Sequence, residues 1–212
     1  MSGPIRALFL ALSLAAGCSS APVYYPTLNQ QAISLRKGDL EAYGIAFITP
    51  STITGQEQEK EAVALTFTDV LKSQRPALKV STLAETLGAV NKAGLADSYK
   101  RMYEEYRDTG LFSADALRRV GAATGRRYVG QLKLQAFNES SKNRLGLFGL
   151  RLIETQYADV RLFFQVWDSR DGSIAWEAMQ ELRIVRETTT EEPVMLRKIL
   201  EHSAGELIAK LP

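Results

Sequence analysis

The spacing of hydrophobic positions changes partway along the chain. Up to about residue 125, apolar residues recur at helical spacing or form short continuous runs, and beyond it they alternate with polar residues. The first spacing is typical of amphipathic helices and buried strands, and the second of strands with one face on a core. The pattern therefore predicts helices and short strands first, followed by longer strands.

The first part predicts two short strands and four helices. The apolar run GIAFITP (44–50) indicates a strand buried on both faces, and ALKVSTLAE (77–85) a second short strand. They are joined through a predicted helix, EKEAVALTFTDVLKSQ (59–74), which favours parallel pairing. Three more helices are predicted, TLAETLGAVNKAG (82–94), ADSYKRMYEEYRDTG (96–110) and, after an N-cap at Ser113, ADALRRVGAATG (114–125).

The second part alternates with period two. A strand is predicted over RRYVGQLKLQAF (126–137), and a long hairpin over 157–187 turns at DSRDG (168–172). The positions expected on the core side are Tyr128, Gly130, Leu132, Leu134, Ala136, Ala158, Val160, Leu162, Phe164, Val166, Ile174, Trp176, Ala178, Leu182 and Ile184. The stretch TTTEEP (188–193) is expected to open a final amphipathic helix.

These elements follow the order β-α-β-α-α-α-β-β-β-α. We predict an α/β fold with a single mixed β-sheet, in which short parallel strands joined through a helix meet a long antiparallel C-terminal hairpin, with helices packed against the sheet. About 165 residues are enough for one domain with a substantial core.

The amino terminus resembles a bacterial lipoprotein signal. One positive charge at Arg6 precedes an apolar run from Ala7 to Ala16, which is shorter than the roughly 20 residues that span a bilayer. The sequence LAAGC then ends at Cys18, the single cysteine of the chain, and resembles a lipobox. The alternative is a plain secretory signal followed by an unrelated cysteine. We expect a signal peptide over 1–17, a tether over 18–43 and one domain over 44–212.

The lipobox resemblance implies that Cys18 carries lipid and becomes the new amino terminus. Several acyl chains anchor a protein firmly, whereas a single chain does not. Ser19 follows the cysteine, where an aspartate would favour retention at the inner membrane, so the resemblance implies the outer membrane, with the domain facing the periplasm. Without a second cysteine no internal disulfide can form.

Charge and motifs exclude several classes of function. Without Arg6, 25 Lys and Arg residues balance 24 Asp and Glu residues, so no affinity for nucleic acid is expected. The triplet DTG (108–110) reads as the end of a helix rather than as an aspartic-protease motif, which follows an apolar strand. His202 is the single histidine and is expected within the C-terminal amphipathic helix, as a surface residue or one at the boundary between core and surface. We predict no enzyme, metal or cofactor, with an envelope hydrolase as the less favoured alternative.

One predicted loop is unusually apolar. Between the strands, over residues 138–156, six of the nine residues of LGLFGLRLI (145–153) are large and apolar. The loop either covers the core or forms a contact surface for a partner, a sister subunit or the lipid boundary. The candidate contact residues are Arg144, Leu145, Leu147, Phe148, Leu150 and Arg151.

Three stretches carry a resemblance to a known group: YGIAFITP (43–50), DALRRVGAATGRRYVGQLKLQ (115–135) and VRLFFQVWDSRDGSIAWEA (160–178). They are similar to the periplasmic domain of the curli-secretion lipoproteins (CsgG), the amino-terminal domain of TolB and the LpoB-like lipoprotein activators of peptidoglycan synthases. The resemblance covers about residues 43–187. It implies a non-enzymatic component of an envelope machine that binds other envelope proteins. Several members form rings, so a ring-forming component of a secretion complex is the alternative.

The lipobox generates the first prediction. Cys18→Ser should leave an unprocessed, unlipidated precursor, because the thiol that accepts the lipid is missing. Membrane fractionation and mass spectrometry of the amino terminus measure the outcome. Processing and membrane attachment equal to those of the wild type would show that the lipobox interpretation is wrong.

Overall fold

The computed structural model describes residues 21–147, 150–188 and 196–212. Within these residues the chain forms one mixed sheet of seven strands. The strands are β1 (Val23–Ala32), β2 (Ile45–Phe47), β3 (Ser51–Thr52), β4 (Val80–Ser81), β5 (Tyr128–Leu147), β6 (Leu150–Asp168) and β7 (Ile174–Thr188). The helices are α1 (Asp39–Tyr43), α2 (Glu57–Gln74), α3 (Leu83–Lys92), α4 (Ala96–Thr109), α5 (Ala114–Thr124) and α6 (Leu196–Ile208). The predicted α/β class with a single mixed sheet is confirmed.

The sheet has the order β1-β7-β6-β5-β2-β4, and β3 pairs with β5 outside that path. The pairs of β2 with β4 and with β5 are parallel, and the pairs among β5, β6, β7 and β1 are antiparallel. The parallel pairing predicted for the two short strands is therefore confirmed. A long antiparallel ribbon makes up the rest of the sheet.

Two apolar clusters lie on opposite faces of the sheet. On the first face, α2 and α6 cover Phe47, Phe164 and Trp176, and Phe67 of α2 lies 4.8 Å from Phe164 between ring centroids. On the second face, α3, α4 and α5 cover a smaller cluster around Trp167. The first cluster extends along β5, β6 and β7, whereas the second is confined to one end of these strands.

Local sequence explains where α3 begins, where α5 ends and why β2 can lie close to β5. The side chain of Thr82 accepts a hydrogen bond from the backbone N–H of Glu85, whose carboxylate accepts one from the N–H of Thr82, and this capping box begins α3. Helix α5 ends at Gly125, whose φ of 66° is readily adopted only by glycine. A Cβ on Gly130 would lie 3.0 Å from the ring of Phe47, so a larger residue would force the buried side chains of β2 to shift.

The amino-terminal part of the predicted tether belongs to the sheet. Residues 23–32 form β1, which pairs with β7 over its whole length and begins five residues after Cys18. Tyr24 stacks on His202 of α6 with 4.2 Å between the ring centroids, and His202 is half-buried, which confirms its predicted position between core and surface. The prediction missed β1 because Pro26 and the polar residues resemble a loop. Proline is tolerated on an edge strand, where the missing N–H faces away from the partner strand.

Two bulges correct the predicted strand faces. An irregularity between Leu134 and Ala136 puts Ala136 opposite Arg161, on the second face, and leaves Leu134 in the core. A second irregularity lies between Val166 and Trp167, so Ile174 packs with the second cluster while Trp176 stays in the first. Strict alternation is wrong at these two positions because each extra residue inverts the pattern that follows.

The predicted loop over 138–156 is also corrected. The backbone continues as β5 to Leu147 and as β6 from Leu150, and the two ends pair with each other. The polar and glycine-containing sequence predicted a connection, but cross-strand pairing extends the hairpin through it.

The core assignment generates the second prediction. Trp176→Ala should lower the free energy of unfolding by ~3–5 kcal/mol, because Trp176 is buried and packs edge-on against Phe164. Chemical denaturation measures the change. Leu65→Ala is the matched control, since Leu65 is 57% exposed on α2 and its loss should change stability by less than ~0.5 kcal/mol. Equal effects of the two substitutions would contradict the packing described above.

Candidate functional site

The second face of the ribbon forms a trough beyond the end of the helices. Its volume is about 800 Å³, and four adjacent strands contribute to its walls. We call this surface the sheet trough. It is lined by Tyr25, Thr27, Ala136, Asn138, Tyr157, Asp159, Val160, Arg161, Glu181, Leu182, Arg183 and Val185. The bulge in β5 brings Ala136 and Asn138 to this face, so the irregular backbone shapes the trough directly.

Two ion pairs cross the floor of the sheet trough between β6 and β7. Arg161 Nη2 lies 2.6 Å from Glu181 Oε1, and Arg183 Nε lies 2.6 Å from Asp159 Oδ1. The four side chains are 40–62% exposed, so solvent screens both pairs and they contribute little to the stability of the fold. Positive and negative side chains alternate along this surface, and the four together carry no net charge. Such a surface can discriminate between partners by charge complementarity.

A half-buried lysine lies where the helices end and the open part of the face begins. The ammonium group of Lys133 lies 4.7 Å from the ring centroid of Tyr106 and 5.2 Å from that of Phe163. Burial lowers the pKa of Lys133, and the negative charge of Glu177 opposes that effect. Burial also raises the pKa of Tyr106 to about 12, so the tyrosine hydroxyl stays protonated at neutral pH. Cation–π contacts therefore join α4 to the sheet at this boundary.

A compact charge cluster closes the other end of the ribbon, where β6 turns into β7. The buried carboxylate of Asp168 accepts hydrogen bonds from Arg127 Nη2 at 2.7 Å and from Arg170 Nη2 at 3.0 Å. Burial alone would raise the pKa of Asp168, but the hydrogen bonds from the two arginines outweigh it and lower the pKa to about 2. The turn predicted at DSRDG is confirmed, and Asp168 ties it to the beginning of β5.

The predicted contact residues lie at the far end of the hairpin. Arg144, Leu145 and Leu147 belong to the last part of β5, and Leu150 and Arg151 begin β6. Their role as contact residues stays a prediction. Phe148 and Cys18 lie outside the described residues.

Two other candidate motifs have structural positions. The DTG triplet ends α4, with Gly110 in the left-handed region at a φ of 73°, which confirms the helix-end interpretation. Among the described residues, no group of three or more His, Cys, Asp or Glu side chains is arranged to hold a metal ion. Within the same residues, no helix combines the length and the apolar content needed to cross a membrane.

Sequence reasoning did not find the sheet trough. Its charged residues were visible as the polar positions of alternating strands, with Asp159 and Arg161 on one strand and Glu181 and Arg183 on the other. The register that joins them into ion pairs depends on the irregularity between Val166 and Trp167, which shifts the pairing of β6 with β7. Two opposite-charge pairs at the same spacing in the two arms of a predicted hairpin were the available signal.

The chain matches no protein-family model and no curated protein sequence. It is similar to solved structures of a PelC dodecamer from Paraburkholderia phytofirmans in two crystal forms, with 13% and 16% identity and TM-scores of 0.46 and 0.44. These matches cover 88% of this chain and 97% and 95% of the PelC chains. The lipoprotein GNA1162 from Neisseria meningitidis is 15% identical, with 79% of this chain and 98% of that chain covered and a TM-score of 0.40.

The Asp168 cluster generates the third prediction. Asp168→Asn should lower the free energy of unfolding at pH 7 by roughly 2–4 kcal/mol, because Arg127 and Arg170 lose their shared carboxylate. The folded pKa of about 2 lies below the ordinary value of about 4, so this stabilisation is present above pH ~4 and is lost as the pH falls toward 2. Chemical denaturation between pH 7 and pH 2 measures it.

The matched control is Asp108→Asn, which removes an exposed carboxylate paired with Arg107. The difference in stability between the wild type and the Asp168 variant should shrink as the pH falls from 4 to 2, while the difference for the control stays small. Parallel curves for the wild type and the Asp168 variant over the whole range would refute the assigned role of Asp168.

Proposed function

We propose that this chain is a lipoprotein of the bacterial outer membrane, anchored through Cys18 with its domain facing the periplasm. It acts as a non-enzymatic component that binds and assembles other proteins of the cell envelope. The single observation that carries the proposal is the sheet trough, a four-stranded surface that the helices leave open. The lipobox supports the location, and the family resemblance supports the role.

The chemistry of the sheet trough suits recognition of another protein. Tyr25 is 58% exposed and Tyr157 half-buried, and tyrosine is enriched at protein interfaces because its ring supplies apolar area and its hydroxyl a hydrogen bond. Arg161 and Arg183 are each paired with a carboxylate of this chain. A partner therefore does not need to neutralise a net charge in the sheet trough. A partner surface with the opposite order of charges fits this pattern best.

Assembly of identical copies belongs to the same proposal. The resemblance to ring-forming envelope proteins motivates it, and β1 supplies a long edge strand that pairs with β7 on one side. A second copy and a different envelope protein are therefore both candidate occupants of the trough. The experiment below measures them separately.

The fourth prediction is a charge exchange in the sheet trough. Arg161→Glu combined with Glu181→Arg preserves an ion pair but reverses its direction. Because the pair is exposed, the free energy of unfolding should change by less than ~1 kcal/mol. Partner capture by crosslinking in native membranes, or self-association of the purified protein in detergent by sedimentation velocity, should fall at least ~10-fold.

The matched control exchanges an exposed pair outside the trough, Arg197→Glu with Glu201→Arg on α6. It should leave partner capture and self-association at the wild-type level. Loss of capture alone would assign the trough to a different envelope protein, and loss of self-association alone to a second copy. A trough variant that retains both would refute the proposal that this surface is the binding site.

A further inference from the structure

A second concave surface lies at the end of the ribbon where β6 turns into β7. It is a pocket of about 400 Å³ whose walls carry the three arginines Arg36, Arg127 and Arg170 and the three aspartates Asp39, Asp168 and Asp171. None of its lining residues belongs to the sheet trough. It also lies at the turn between β6 and β7, whereas Val23, the first residue of β1 and the fifth after Cys18, is level with Val185 of β7 and Tyr157 of β6.

The aspartates of this pocket already accept hydrogen bonds from the chain. Asp168 accepts from the side chains of Arg127 and Arg170 and from the backbone N–H of Arg170. Asp39 accepts from the backbone N–H of Arg36 at 3.0 Å and from the Tyr128 hydroxyl at 3.2 Å. Asp171 accepts from the backbone N–H and the hydroxyl of Ser173. Each carboxylate is therefore occupied by at least two donors.

The arginines, in contrast, keep donors available. Arg127 and Arg170 each use Nε and Nη2 on Asp168, and Nη1 of both has no hydrogen-bond partner among the described residues. Across the same part of the chain, the guanidinium group of Arg36 makes no hydrogen bond or ion pair. A guanidinium has five N–H donors and no acceptor, so the unused capacity of the pocket consists mainly of donors.

Arg127 is held in place before any ligand arrives. Its guanidinium carbon lies 4.8 Å from the ring centroid of Tyr43 and 4.9 Å from that of Tyr128, and Asp168 fixes one edge of the group. Hydrogen bonding to Asp168 raises the pKa of Arg127, which keeps it charged. An arginine whose orientation is already fixed loses less conformational entropy when it binds a ligand.

We propose that this pocket binds a carboxylate group, supplied by an acidic side chain or the chain end of a peptide or protein ligand. Arg127 and Arg170 donate to its oxygens, and Arg36 lies at the same pocket. A ligand with acceptors alone matches the unused donors. The equal numbers of arginines and aspartates give the pocket no excess positive charge, which favours a singly charged, planar carboxylate over a tetrahedral dianion.

The test uses the mature protein in detergent with 15N-labelled arginine and N-acetyl-alanine as the carboxylate probe. The expected result is a saturable shift of the Nε resonances of Arg127 and Arg170. The neutral N-methylamide of N-acetyl-alanine should cause no such shift, and sodium sulfate at equal ionic strength a weaker one. Absence of saturation, equal shifts with the amide, or tighter binding of sulfate would each overturn the proposal.

Arg170→Gln should weaken the probe's affinity at least fivefold while Arg127 stays paired with Asp168, since Arg170 is 63% exposed. The matched control is Arg197→Gln, which removes an exposed arginine that pairs with Glu201 on α6, and it should bind normally. Arg36→Gln is a second variant and should also weaken binding. Normal affinity in both pocket variants, or an equal loss in the control, would refute the site. The charge-exchanged trough variant should bind the probe normally. The proposal for the sheet trough and the proposal for the arginine pocket can therefore be refuted independently of each other.

Discussion

Strands advance about 3.3 Å per residue and α-helices about 1.5 Å, and this difference in rise controls the architecture. Strands β5 and β6, with 20 and 19 residues, extend over about 60 Å, whereas α3, α4 and α5, with 10 to 14 residues, each extend over only about 15–21 Å. Three such helices, packed at one end, bury the second face around Trp167 and stop near Lys133. The remainder of that face must carry polar side chains, and it does so as the sheet trough.

Charged side chains are paired differently in the sheet trough and at the turn between β6 and β7. In the sheet trough, Arg161 and Arg183 pair with acids on the neighbouring strand while both partners stay exposed, so the pairs add little stability and remain adaptable. At the turn, Asp168 is buried, and two arginines lower its pKa to about 2. Removing that carboxylate would leave two guanidinium groups without their shared partner, so this cluster is tied to the stability of the turn as well as to its proposed ligand.

The spacing of apolar residues along the chain predicted most helices and strands. Which residues form the sheet trough and the arginine pocket depends instead on how the strands pair. The helical spacing of Val63, Phe67 and Leu71 and the alternation through Phe164 and Val166 identified much of the core, because both reflect burial on one face. Strand β1 was missed because an exposed edge strand has no apolar alternation to reveal it. Ala136 and Ile174 were assigned to the wrong face because bulges depend on how strands pair, which one segment does not encode. The trough and the arginine pocket combine residues from distant segments, so neither was visible before the register was known.

If Cys18 carries lipid as proposed, the early start of β1 would limit how far the domain could move from the membrane. A flexible segment of about 25 residues has an extended reach of up to ~80 Å, but Val23 is already fixed in the sheet. A lipid on Cys18 would be separated from Val23, the first residue of β1, by at most about 17 Å of fully extended chain. The domain would then be held close to the bilayer with little freedom to search for distant ligands. Any partner that it engages would have to approach within a narrow layer at the membrane surface.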